Sequence, residues 1–199
     1  TVSWCKFYFD NSHSHAFGHL IGNRDDRTSD RGKLHVTMHH NWYAEGIRGR
    51  MPRVRYGHVH IYNNYYNSVG NGYCIGTGFE CHIKIENTHF ESVSNTWQEQ
   101  AIGALESGGE IGWDNLIFEK STEPTYISNS FPVFEPPYAY TLDPVEDVKA
   151  IVTKHSGKIT AIEQLKAIVP KDITLSQNYP NPFNPATKIT FAIAVILPE

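Results

Sequence analysis

Four arginines, Arg48, Arg50, Arg53 and Arg55, fall within eight residues of a 199-residue chain. Arginine presents a planar fork of donors that stays charged at any working pH, so such a cluster suits carboxylates, sulfates or phosphates. A solvated charged loop is the plain alternative. The setting favours a site, because the cluster lies inside HHNWYAEGIRGRMPRVRYGHVHIYNNYY, His39 to Tyr66, between two copies of one repeat. Histidines crowd both sides: His13, His15 and His19 in SHSHAFGHLIG, and His58 and His60 as an HxH pair. An HxH pair in isolation could hold a metal. Here it alternates with Val59 and Ile61, which puts both imidazoles on an outer face, solvated or against a sugar. Asp25, Asp26 and Asp30 alternate with Arg24, Arg27 and Arg31 too evenly for a ligand cluster and read as local charge pairing.

Composition narrows the partners. The formal net charge is −4, so the basic cluster is local and nothing points to nucleic acid, although a polyanion held at one groove is allowed. Three cysteines are too few and odd in number for a disulfide framework; Cys74 and Cys81 either bridge across one turn or remain as buried thiols. No window approaches the run of about 18 apolar residues of a membrane helix. The opening TVSWCKFYFD has no leader-like pattern and enters directly on a strand, which places the expected N-terminus upstream.

The elements that must position the arginines come from a repeat. VTMHHNWY (from Val36), VHIYNNYY (from Val59), IKIENTHF (from Ile83) and IGWDNLIF (from Ile111) share the template apolar-x-apolar-x-Asn-x-x-aromatic, with the Asn slot filled by His40, Asn63, Asn87 and Asn115. A period of about 23 residues leaves room for three short strands and three turns, a coil of a parallel β-helix. Equivalent residues then stack, so the Asn slots are expected to form a ladder inside a bend, and Val36, Met38, Val59, Ile61, Ile83, Ile85, Ile111 and Trp113 one continuous core. His40 occupies the ladder slot and, like His39, reads as structural. Val2 to Phe9 reads as one more strand, with Val2 and Trp4 inward and Phe9 as its last aromatic. The aromatic and proline-rich SNSFPVFEPPYAYTL is expected to pack along the outside of the solenoid. Asp143 to Lys158 reads as a short terminal helix, with Asp143 as N-cap before Pro144 and Gly157 near the end.

These motifs, taken in order, resemble the pectate lyase family: LIG at Leu20 to Gly22, SDRG at Ser29 to Gly32, VTMHHNW, R-x-P-x-x-R-x-G at Arg50 to Gly57, VHIYNNYY, and a closing PPYAYTLDPVEDVKAIVTKHSGK. The resemblance covers Thr1 to Lys158 and implies an all-β, right-handed parallel β-helix, here partial, with a short C-terminal helix. It implies a secreted polysaccharide lyase that cleaves polygalacturonate by β-elimination. Arg50 matches the family's catalytic arginine, which takes the C5 proton, and Arg55 its substrate-carboxylate arginine. Arg53 is a further substrate contact, and His19 is the candidate to replace a family lysine absent before LIG. Calcium is the implied cofactor, with no metal ligand expected in this chain, because the family's acidic ligands lie upstream of its start. The isolated fragment is therefore expected to turn over weakly or not at all. A non-catalytic acidic-polysaccharide-binding β-helix, a pectin lyase and a displayed structural solenoid are the alternative readings.

A second resemblance covers the end. LSQNYPNPFNPATKITFAI, from Leu175, is similar to the start of the C-terminal sorting tail of proteins exported by type IX secretion machinery. The expected organisation is a β-helix over 1–158, a linker over 159–173 and a truncated tail over 174–199, with secretion or surface display as the destination.

Overall fold

A computed structural model describes residues 1–10, 15–99, 108–124 and 131–158. The chain divides into Thr1–Lys158 and Ile159–Glu199, and the linker and sorting-tail assignments lie outside the described residues, as does His13. The first unit is a β-solenoid. Strands Val2–Ser3, His35–His39, His58–Tyr62, His82–Glu91 and Glu110–Glu119 pair in parallel, in that order, along one face. Leu20–Ile21, Arg53–Val54, Ile75–Thr77 and Trp97–Glu99 form a second parallel sheet.

The register makes equivalent residues of the repeat neighbours in space. Val36, Val59, Ile83 and Ile111 form one inner row, and Met38, Ile61, Ile85 and Trp113 the next. Both rows belong to one core, with Val36 and Trp113 only partly buried at its ends. The aromatic slot builds a stack of its own: Phe7, Tyr43, Tyr66, Phe90 and Phe118 lie with successive ring centroids 5.2, 4.6, 4.8 and 5.5 Å apart. Offset stacks of this kind contribute about 0.5–1.5 kcal/mol per pair beyond burial.

The Asn slot has a different physical reason from the one its spacing suggests. His40, Asn63, Asn87 and Asn115 all sit at positive φ, between 39° and 54°, so the slot is the corner of the coil, where Asn tolerates a left-handed backbone. Their side chains face outward. One rung of the expected ladder is present, Asn63 Nδ2 lying 3.2 Å from His40 Nε2, but otherwise Asn63 and Asn87 bond the segment that crosses them at Thr141 and Asp143, and Asn115 is exposed. The interior ladder runs one residue later. Asn64 accepts a hydrogen bond from the Asn41 amide (2.7 Å) and donates to the Met38 carbonyl (2.7 Å), and Asn41 repeats the pattern toward Val2 and Cys5.

The first strand also departs from expectation. Val2 pairs with Met38, not Val36, so Trp4 falls in the corner slot, at φ 56°, and stacks on His40 at 4.1 Å. Trp4 is therefore 40% exposed, and Phe7, not Phe9, fills the aromatic slot. The exposed-histidine reading is corrected by the segment that follows. Residues 131–143 run outside the coil as expected, yet they cover His60, which is 1% exposed and bonded to Glu86 (2.7 Å) and the Tyr138 hydroxyl (2.9 Å). His58 is half-buried between His35 and His82. The helix spans Val145–His155 and sets Val148 and Val152 against Tyr65. Asp143 is not its side-chain cap, because that carboxylate is taken by His40 at 2.8 Å. All three cysteines are free, Cys74 and Cys81 buried, and burial pushes the Cys81 thiol up to about 12.

Candidate functional site

Three of the four arginines leave the coil along one strand of the second sheet and the turn before it. The chain reverses at Arg50, whose φ is 59°, and enters the strand Arg53–Val54. Alternation then decides the faces: Val54 is wholly buried in the core, so Arg53 and Arg55 start from the opposite side. In the coil before, Leu20 pairs with Arg53 and Ile21 with Val54; in the coil after, Gly76 pairs with Arg53 and Thr77 with Val54.

Glycines on both sides make room for this row. A Cβ at Gly22 would collide with the Arg55 carbonyl, and one at Gly18 would lie 2.6 Å from the Arg50 carbonyl. The glycine of the LIG motif is thus required by close approach to the arginine strand. In the following coil a Cβ at Gly78 would meet the Val54 carbonyl at 2.5 Å and Cγ of Arg55 at 2.8 Å.

Each arginine has its own environment. Arg50 is half-buried, its guanidinium 4.4 Å from the Phe17 ring centroid, and its side chain makes no hydrogen bond or ion pair among the described residues. Phe17 in turn meets His15 edge-on at 4.9 Å. Arg53 is half-buried, and its guanidinium is held below its ordinary value by burial first, then by the charge of Arg55, with Arg50 adding to the effect and Tyr73 and Asp25 opposing it. Arg55 is 7% exposed and pairs through Nε with the Asp25 carboxylate. Arg48 is exposed and contributes its backbone, accepting from the Gly72 amide at 2.8 Å.

His19 is not where a substrate contact should be. Its backbone pairs with the arginine strand, but its ring turns toward the core, edge-on to Phe7 (4.6 Å) and Tyr43 (5.8 Å), and burial lowers its pKa. His19 and Ile21, two residues apart, share the inward direction, whereas Phe17 precedes that strand, bridges Gly49 and sets its ring against Arg50. Of the two described histidines before LIG, His15 is the one on Arg50's side, through Phe17. Asp25 and Phe17 are the residues of the site that the spacing did not single out. The loop charges also pair differently from a purely local scheme. Arg24 takes Asp26, but Arg31 reaches Glu80, and Asp25 serves Arg55.

Arg50, Arg53 and Arg55 can present several donors to more than one carboxylate along a chain. A cavity of about 440 Å³ lies elsewhere, against His35, His58, Phe134 and Tyr138, with no arginine in its lining. A polyanion needs cationic anchors, and this largely apolar volume, with no arginine or lysine in its lining, does not compete as its site. Among the described residues no group of three or more His, Cys, Asp or Glu side chains converges as a cation site requires, and no helix is long and apolar enough to cross a membrane.

A family model described as pectate lyase matches residues 1–159. The pectate trisaccharide-lyase of Bacillus licheniformis is 33% identical over 141 residues, covering 69% of this chain and 38% of that protein. The pectate lyase of Bacillus subtilis is 43% identical over 81 residues, 38% of this chain and 19% of that protein. Among solved structures, a pectate lyase bound to a hexasaccharide superposes with a TM-score of 0.56 at 26% identity, covering 78% of this chain and 39% of that one. A Bacillus subtilis pectate lyase carrying an arginine-to-lysine change gives 0.54 at 26% identity, with the same coverages of 78% and 39%. The chain spans about two fifths of the length of the first of these relatives.

Proposed function

This chain belongs to the pectate lyase family, and from that premise we propose that its arginine row is part of a polygalacturonate lyase site. The observation that carries the proposal is the row itself. Three arginines share one short segment, glycines flank them in both neighbouring coils, and Arg50 has no acidic partner among the described residues. In this reading Arg55 and Arg53 hold uronate carboxylates, and Arg50 takes the proton from C5. The C5–H electron pair becomes the C4–C5 double bond, the C4–O4 bond breaks, and O4 leaves with a proton from solvent. A base with so high an ordinary pKa needs a cation-rich, partly desolvated seat, since both conditions favour the neutral guanidine.

Calcium is the cofactor that the family resemblance implies. The described residues do not form a set of cation ligands, so no step above passes through the metal. A calcium requirement would rest on carboxylates outside these residues, and the 199-residue chain should then turn over weakly or not at all. Secretion or surface display, through a type IX-like tail from Leu175, completes the proposal.

The test is the ultraviolet absorbance of the unsaturated product from polygalacturonate, with calcium and with chelator, for this chain and for a form extended upstream. The extended form should be active, and Arg50→Lys in it should lose turnover by at least about a hundredfold while keeping substrate affinity, because lysine keeps charge and loses the fork. An active Arg50→Lys enzyme refutes the assignment. Binding without any turnover in the extended form would favour the acidic-polysaccharide-binding module.

A further inference from the structure

Arg55 is almost fully buried, and a guanidinium taken out of water needs a counter-charge and partners for its donors. The loop after LIG supplies them. Nε of Arg55 donates to Oδ1 of Asp25, and Nη1 donates to the carbonyls of Gly22 and Asn23, each at 3.2 Å. Nη2 is the one nitrogen left without a partner among the described residues.

The seat of Asp25 is itself held. The Tyr56 hydroxyl donates to the Asp25 backbone carbonyl, and Arg31 binds Glu80 through two hydrogen bonds of 2.7 and 2.5 Å while lying 5.8 Å from the Tyr56 ring centroid. The loop is thereby tied to the coil on both sides of the arginine strand. Three guanidinium groups in one row also repel one another, and Asp25 is a carboxylate in direct contact with that row.

We propose that Asp25 is the positioning residue of the row: its carboxylate fixes the Arg55 guanidinium, reserves Nη2 for a substrate carboxylate, and offsets the repulsion among Arg50, Arg53 and Arg55. This deepens the lyase reading and rests on it. The physical advantage is preorganisation. An arginine side chain carries substantial rotamer freedom, and one held before binding loses none of it on binding.

The experiment uses the 199-residue chain and trigalacturonate as probe, with affinity read by titration calorimetry and the Arg55 Nε proton read by nitrogen-15 NMR. Asp25→Ala should weaken binding about tenfold, a change of about 1.4 kcal/mol. Asp25→Asn, which keeps the Oδ1 acceptor and loses the charge, should weaken it less. In an Arg55→Ala background neither change should have any further effect, which a merely structural role for Asp25 would not produce. The Arg55 Nε proton should be protected from exchange in the parent and unprotected in Asp25→Ala. If Arg55→Ala weakens binding while Asp25→Ala does not, or strengthens it, the proposal is overturned. If the parent does not bind, or Arg55→Ala leaves binding unchanged, the lyase reading of Arg55 fails instead. The NMR arm still decides Asp25 then, because a proton that stays protected in Asp25→Ala refutes the positioning role without reference to substrate.

Discussion

Replacing Asn64 by alanine tests the interior ladder in a way the outward corner residues cannot. Asn64 is fully buried, its Oδ1 accepting from the Asn41 amide and its Nδ2 donating to the Met38 carbonyl, both at 2.7 Å. Alanine would leave one buried N–H and one buried carbonyl without partners. Each such group costs about 1–3 kcal/mol, so the expected loss is about 2–6 kcal/mol, a large share of the total for a single domain. With a urea slope of about 2 kcal/mol/M, a loss near 4 kcal/mol lowers the midpoint by about 2 M. Asn115 is the control. It holds the corner slot at φ 54° with an exposed side chain, so Asn115→Ala should cost only about 1 kcal/mol, the strain of alanine in a left-handed corner. Urea unfolding followed by far-ultraviolet circular dichroism measures both. An Asn64→Ala variant no less stable than Asn115→Ala would refute the assignment of the ladder to the residue after the corner.

Acid should unfold the solenoid partly through His39. Burial, then the charges of His40 and His60 and of the N-terminus, hold its folded pKa down to about 4, whereas the unfolded chain takes the proton near 6.5. Between those values the unfolded state binds more protons, so stability is complete above about pH 6.5 and is lost as pH falls toward about 4. His39→Gln should flatten the melting-temperature profile over that window, and an unchanged slope would count against the argument. Gly78→Ala should disturb the arginine row without touching an arginine, because its Cβ would press on the Val54 carbonyl and on Cγ of Arg55. Trigalacturonate affinity should drop at least about tenfold, the scale expected when one charged hydrogen bond to a carboxylate is pulled out of line. Unaltered affinity would show that Arg55 has slack the structure does not suggest.

The template from Val36 to Phe118 made the solenoid legible because parallel stacking repeats the same environment, and the same environment selects the same residue type. Inner rows, aromatic stack and corner slot all follow from that one rule. The template did not reveal what the corner residue is for. A positive φ and a buried ladder both select Asn, and only the neighbouring Asn41 and Asn64 separate the two, since they hold the bonds the ladder needs. The rule also fails at an end of the stack. Val2 slides two places relative to the template, and Trp4 stacks on the ring of His40 instead of entering the core.

The site was legible to the extent that its residues lie on one short segment. Arg50, Arg53 and Arg55 are close in sequence and remain close in space. Their supports come from elsewhere: Phe17 and Gly22 from the coil before, Gly78 from the coil after, and Asp25 from a loop that reads as ordinary surface charge. No spacing within one coil encodes a contact between coils unless the repeat continues through it, and loops are where the repeat stops. His19 shows the consequence. Its position before LIG suggested a replacement for a cationic contact, but the pleat alternates, and the shared direction with Ile21 turns its ring to the core. The ring beside Arg50 belongs to Phe17, which precedes the strand Leu20–Ile21 and bridges Gly49, and it forms an apolar platform under a guanidinium. In the proposed lyase reading, substrate carboxylates would therefore meet arginines held by an aromatic face and a carboxylate, with no second cation from Leu20–Ile21 to share the load.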